Sequence, residues 1–178
     1  MISHLDIDLR KNFLKQADMK NIYFLRHAKS SWDDFTLKDF DRPLSTRGIQ
    51  DADLMGNFFR SKKIKLDLVL SSPSKRTVET LKHFFQLEKP NIKFEDSIYH
   101  ASMEEILNLI FELPEDVKNI MVVGHNPSMH EITGYLGDKF INKYPTCCLV
   151  AFNTDRSWCK ISQGCGNLDF IKKPSELR

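Results

Sequence analysis

An α/β domain, with a mostly parallel sheet layered between helices, is the fold this sequence predicts, and three observations carry that prediction. Short apolar runs suited to buried strands alternate with stretches of helical period, the pattern of a sheet whose crossovers are helices. Three of those runs end abruptly in polar loops, each followed by residues suited to starting a helix. The 178 residues show no internal repeat, low-complexity tract or linker, so one core accounts for them.

Taken in order, Ile22, Tyr23, Phe24 and Leu25 form an uninterrupted apolar run, as a strand buried on both faces requires. It stops at Arg26, His27, Ala28, Lys29 and Ser30, and a loop rich in aspartate follows from Trp32 to Arg42. Ser45 suits the N-cap of a helix whose apolar stripe is Ile49, Ala52, Met55 and Phe59. A second strand over 66–70 ends in Ser71, Ser72 and Pro73. The proline fits the first turn of a helix running through Arg76 to about Leu87. Ser102 and Glu105 match a capping box for a helix over 103–111. A third strand, 120–123, leads into Gly124, His125, Asn126 and Pro127, the last two reading as the cap and first turn of another helix. Two more strands are expected over 147–152 and 157–161. Ahead of the domain proper, residues 19–178, lies an extension of residues 1–18. Ile2, Leu5, Leu9 and Phe13 fall near helical spacing there, so it reads either as an amphipathic helix or as a loose tail.

Bulk properties narrow the function. A net charge of +2 points to neither nucleic acid nor a membrane surface. No apolar run approaches the roughly 18 residues of a membrane span, and acidic residues interrupt the N-terminus where a signal peptide needs an apolar core. A cytoplasmic protein with reduced thiols is expected. Cys147, Cys148, Cys159 and Cys165 contain no CxxC pair and read as small packing residues on strands. His125 and His130 are five apart with no HExxH, so neither a metal nor another cofactor is expected.

Chemistry gathers at the three strand ends. In an open parallel sheet, ligands bind outside the carboxyl ends of the strands. The sequence places Arg26 with His27, then Arg76, then His125 and Asn126 at those ends. Two guanidiniums offer forked donors to phosphate oxygens, and helix starts nearby add backbone N–H groups. A pocket for a dianion follows.

The residues Phe24 to Ser30 also resemble the signature of the histidine phosphatase superfamily. The resemblance continues through Asp41 to Gly48, Ser71 to Thr80 and Val122 to Ser128, four blocks in order over nearly the whole chain from Met19. With Ala28 after the histidine and a short interval between Arg76 and His125, it is most similar to the SixA-type phosphohistidine phosphatases of branch 1. The resemblance implies a phosphoglycerate mutase-like three-layer sandwich and a phosphatase. His27 would be the nucleophile, forming a covalent phosphohistidine. Arg26, Arg76 and His125 would bind the phosphoryl oxygens, with Asn126 assisting. The ring of His27 must be neutral to attack, and neighbouring arginines push its pKa down.

The general acid of mutase-like relatives has no obvious match here, and Asp33, His100 and Glu104 are the candidates. Asp34 and Asp39 read as part of a solvated acidic loop. A phosphorylated protein, most of all one carrying phosphohistidine, is the expected partner, because no capping subdomain fits between Arg76 and His125 to bury a small molecule. A small phosphorylated substrate, or a phosphate-binding module without turnover, is the alternative reading.

Overall fold

The computed structural model describes residues 19–137 and 141–178; the expected extension, residues 1–18, lies outside them. Six strands form one sheet in the order β3-β2-β4-β1-β5-β6. They are β1 (Lys20–Arg26), β2 (Leu68–Ser71), β3 (Ile92–Phe94), β4 (Asn119–Gly124), β5 (Leu149–Thr154) and β6 (Asn167–Lys172). The first four run parallel, and β5 and β6 add an antiparallel edge. Among the described residues, four helices cover the sheet: α1 (Thr46–Ser61), α2 (Lys75–Phe85), α3 (Met103–Phe111) and α4 (Ser128–Leu136).

Alternation along β1 shows why three layers form. Ile22 and Phe24 point into a core shared with Ile106 and Ile110 of α3 and Met129 and Ile132 of α4. Tyr23 and Leu25 point the other way, against Ala52, Met55 and Phe59 of α1 and Leu81 and Phe84 of α2. A strand apolar at every position is what such double burial demands, and each fully buried side chain contributes about 1.5–3 kcal/mol of transfer free energy. The layers pack closely. A Cβ on Gly48 would lie 2.1 Å from the Lys29 carbonyl oxygen, and one on Gly56 2.1 Å from that of Phe84, so only glycine lets α1 approach both.

The helix starts carry the expected chemistry in two places. Ser45 Oγ accepts from Gly48 N–H, and Ser102 with Glu105 forms a full capping box at α3. Elsewhere the structure corrects the sequence reading. Pro73 precedes α2 rather than opening it, because Ser74 takes the N-cap position. The cap position of α4 falls on Pro127, not Asn126, and the Asn126–Pro127 bond is cis.

The expected strand over 157–161 is instead a 3-10 turn, Trp158–Lys160. Trp158 is buried, giving its backbone N–H to Glu115 Oε1 and its indole N–H to the Val117 carbonyl, which turns the chain away from the sheet. The true edge strand is β6. Its register shifts between Ala151 and Phe152 of β5, whose partners are Phe170 and Leu168, leaving Asp169 as an extra residue. That bulge sends Leu168 and Phe170 to opposite layers and erases the period-2 pattern a strand should show. Cys147 and Cys148 sit before β5 rather than on a strand, both buried, and none of the four cysteines forms a disulfide in the described residues. No helix of the described residues is long and apolar enough to cross a membrane.

Candidate active site

The sheet order makes β2, β4 and β1 direct neighbours, so the three motif-bearing strand ends meet at one edge. Backbone bonds lock them there: His27 N–H donates to the Gly124 carbonyl and Ser72 N–H to that of Val123, both at 3.1 Å. Arg26, His27, Arg76 and His125 are thereby brought together. The imidazole centroids of His27 and His125 are 4.9 Å apart. His27, Arg76 and His125 are buried, at 8, 5 and 5% exposure, which is unusual for charged and titrating groups.

The tautomer of His27 is set by its neighbour. Nδ1 lies 2.7 Å from the Ala28 carbonyl oxygen, which can only accept, so the proton is on Nδ1 and the lone pair is on Nε2. Burial pushes the His27 pKa down to about 3, the Ala28 carbonyl opposing and the Arg76 and Arg26 charges adding to the fall. The expected direction is therefore found, with desolvation rather than the arginines as its main cause. Ala28 is fully buried and gives its N–H to Thr80 Oγ1, which itself donates to the Arg76 carbonyl. The His27 loop and the helix that carries Arg76 are thus tied by one hydroxyl.

His125 is held from the β2 side. Its Nε2 lies 3.0 Å from Ser72 Oγ and 3.5 Å from Ser74 Oγ. Ser72 Oγ accepts from Ser74 N–H at 3.3 Å and keeps a second lone pair as well as its own hydrogen, so it can pair with either tautomer of His125; with the serine as donor the ring proton lies on Nδ1. The Nδ1 atom is buried and has no hydrogen-bond partner among the described residues. Burial leads the fall of the His125 pKa to about 2, and His27, Arg76 and His100 add to it. Arg26 donates through Nη1 to the Tyr144 carbonyl at 2.8 Å, while its Nε is buried and has no partner among the described residues. Arg26 Nε and His125 Nδ1 are thus buried nitrogens with no hydrogen-bond partner among the described residues. Asn126 gives an amide hydrogen to the same Tyr144 carbonyl at 3.2 Å, so its connection to the cluster runs through the support of Arg26.

Asp39 is the residue the sequence reading missed. The sequence reads it as solvated loop, yet its carboxylate meets Arg76 Nη2 at 3.0 Å, Arg42 Nη1 at 3.1 Å and the Tyr99 hydroxyl at 2.8 Å, and its carbonyl takes Arg76 Nη1 at 2.6 Å. Burial alone would raise its pKa, but the Tyr99 hydroxyl and the two arginines outweigh it and hold the carboxyl at about 2. Of the three acid candidates, His100 stands at the rim, its ring 6.4 Å from that of His125 and its Nε2 3.9 Å from Asp39. Asp33 is exposed, and no hydrogen bond or ion pair among the described residues ties its carboxylate to the cluster. Glu104 faces a separate surface cleft with Met103, His130 and Glu131. Asp39 carried no signal that could separate it from the aspartates around it; only the fold of the loop selects it.

Comparison with known proteins places this geometry. Residues 22–99 match the histidine phosphatase superfamily (branch 1). An uncharacterized chloroplastic protein of Arabidopsis thaliana is 38% identical over 140 residues, 72% of this chain and 63% of that one. The phosphohistidine phosphatase SixA of Escherichia coli is 33% identical over 60 residues, 34% of this chain and 36% of that one. A structure of a candidate phosphohistidine phosphatase SixA from Agrobacterium tumefaciens superposes with a TM-score of 0.75 at 27% identity, over 87% of this chain and 98% of that one.

Proposed function

Because the chain belongs to the histidine phosphatase superfamily and is a phosphatase of the SixA type, we propose that His27 is its nucleophile and phosphohistidine on a protein its substrate. The observation that carries this reading is the neutral, buried His27 with its Nε2 lone pair free, set beside Arg26, Arg76 and His125. Nε2 attacks phosphorus in line as the bond from phosphorus to the substrate's ring nitrogen breaks, and the leaving imidazole takes a proton. Water then attacks phosphorus, the His27–phosphorus bond breaks, and inorganic phosphate leaves with His27 restored. Charge on the equatorial oxygens is met by the guanidiniums of Arg76 and Arg26 and by the ring of His125, groups already gathered in place. Asp39, ionised, pairs with Arg76 in competition with the incoming phosphate and does not supply the proton; among the three candidates His100 stands closest to the cluster and is assigned that role. Neither a metal nor a cofactor has a part in these steps. A phosphorus–nitrogen bond suits this site, because its leaving group needs less help than an alkoxide.

The test compares hydrolysis of an aryl phosphate and of phosphohistidine by wild type and His27→Ala. Loss of both activities in a folded variant, with wild type unaffected by chelators, supports the assignment. Retained activity in His27→Ala removes it.

A further inference from the structure

We propose that the loop over residues 32–41 is a docking surface for the body of the protein substrate, selecting partners whose phosphohistidine sits in a basic, apolar-flanked surface. The proposal rests on the protein-substrate reading above and goes beyond it by naming the surface and its chemistry. Of the seven large apolar side chains exposed among the described residues, four lie in this stretch: Trp32 at 62%, Phe35 at 85%, Leu37 and Phe40. Such clustering on a chain that otherwise buries its large side chains marks a recognition surface more than a scatter of surface residues does.

The loop is preformed. Its neck is closed by Ser31 N–H to the Pro43 carbonyl and Ser45 N–H to that of Lys29, both at 2.8 Å, and Leu44 N–H reaches Glu79 of α2. Arg42 staples the interior, donating to the Ser31 carbonyl, Ser30 Oγ and Asp39 Oδ1 while its guanidinium lies 3.2 Å over the Trp32 ring. Asp34 holds Thr36 through both its N–H and its hydroxyl. Little ordering is left to be done when a partner binds.

The loop is also continuous with the reacting groups. Phe40 packs edge-on against Tyr99, whose ring meets that of His125, and Asp39 holds Arg76. A ligand small enough to fit at His27 has no need of the loop, whereas a folded protein offering its phosphoryl group there must lie against it. Charge indicates which protein. Asp33, Asp34 and Asp41 are exposed, and within the loop only Lys38 opposes them, so the loop is an acidic rim along one side of a basic floor. That rim repels polyanionic small molecules and favours a basic protein surface.

Four substrates separate the outcomes: an aryl phosphate, free phosphohistidine, and a basic and an acidic protein each phosphorylated on histidine with phosphoramidate. Wild type is expected to favour the basic protein. Phe35→Ala/Leu37→Ala should lower kcat/KM for that protein about tenfold or more and leave both small substrates unchanged. Asp33→Lys/Asp34→Lys should narrow or reverse the preference between the two proteins. Equal losses on all substrates, no loss on any, or a wild type with no preference for protein over free phosphohistidine would each overturn the docking role. A concentration-dependent dimer that the Phe35→Ala/Leu37→Ala variant loses would assign the patch to a second copy of the chain instead. If wild type hydrolyses nothing, including the aryl phosphate, the phosphatase reading fails first, and that result is distinct from the others.

Discussion

The floor of the site and its rim are built on opposite principles. On the floor, His27, Arg76 and His125 are buried and Arg26 is half-buried, and desolvation keeps both imidazoles neutral. At the rim, residues 32–41 are exposed, acidic and aromatic, and their order comes from local turns and one stapling arginine. What this difference teaches is a division of labour. Preorganised donors over a neutral nucleophile are suited to chemistry, while an exposed surface that loses little freedom on binding is suited to recognition. Asp39 is the hinge between them, ionised at the rim and hydrogen-bonded to the arginine of the floor.

The comparison breaks if floor and rim substitutions have similar effects. Arg76→Ala should cost the most, roughly 10²–10³-fold in kcat on every substrate, as removal of one transition-state donor does elsewhere; single-turnover measurements would show the loss in the chemical step. Ser72→Ala comes next, at roughly tenfold, the worth of one buried hydrogen bond. Threonine at 72 should restore most of the rate, and ¹⁵N resonances of the His125 ring should show the proton moving off Nδ1 in the alanine variant alone. Should Ser72→Ala leave both rate and tautomer unchanged, the positioning role falls.

A smaller effect, of opposite sign, is expected at the hinge. Asp39→Asn frees Arg76 from a competing anion, so inhibition by orthovanadate should tighten about fivefold, the size of a partly exposed ion pair. Weaker inhibition would mean that Asp39 prepares Arg76 for phosphate rather than competing for it. At the rim, Phe35→Ala should change stability by no more than about 0.5 kcal/mol, measurable by urea denaturation.

Acid stability probes the floor through linkage. His27 and His125 take up protons near pH 3 and pH 2 when folded, against an ordinary value of 6.5. Between those limits the unfolded chain binds protons that the folded chain refuses. Their contribution to stability is therefore fully present above pH 6.5 and is lost as pH falls toward 3. The melting temperature should decline from pH 7 to pH 4, and less steeply in His125→Asn. For the same reason neither imidazole should impose an acid limb on kcat/KM between pH 7 and pH 5.

The same division explains what was legible in the sequence. The floor could be read because buried parallel strands are apolar throughout and stop at the polar residues that form the cluster, as Leu25 gives way to Arg26 and His27. Helices over 46–61 and 103–111 announced themselves through Ser45 and Ser102, whose side chains cap as their spacing requires. The rim could not be read, because no periodicity links Asp39 to Arg76 across 37 positions, and nothing local distinguishes it from Asp33. Nor could β6, where the extra residue at Asp169 breaks the alternation, or β3, only three residues long. Long-range pairing that leaves no local pattern is what the chain conceals.

The most direct test of the central claim is the position of the phosphoryl group in the quenched enzyme. Rapid alkaline quench during turnover of a ³²P-labelled substrate, followed by peptide mapping, should find an acid-labile, base-stable label on Nε2 of His27, the nitrogen left free by the Nδ1 bond to Ala28. Label on Nδ1 of that ring, on His125, or on a serine or aspartate would contradict the account.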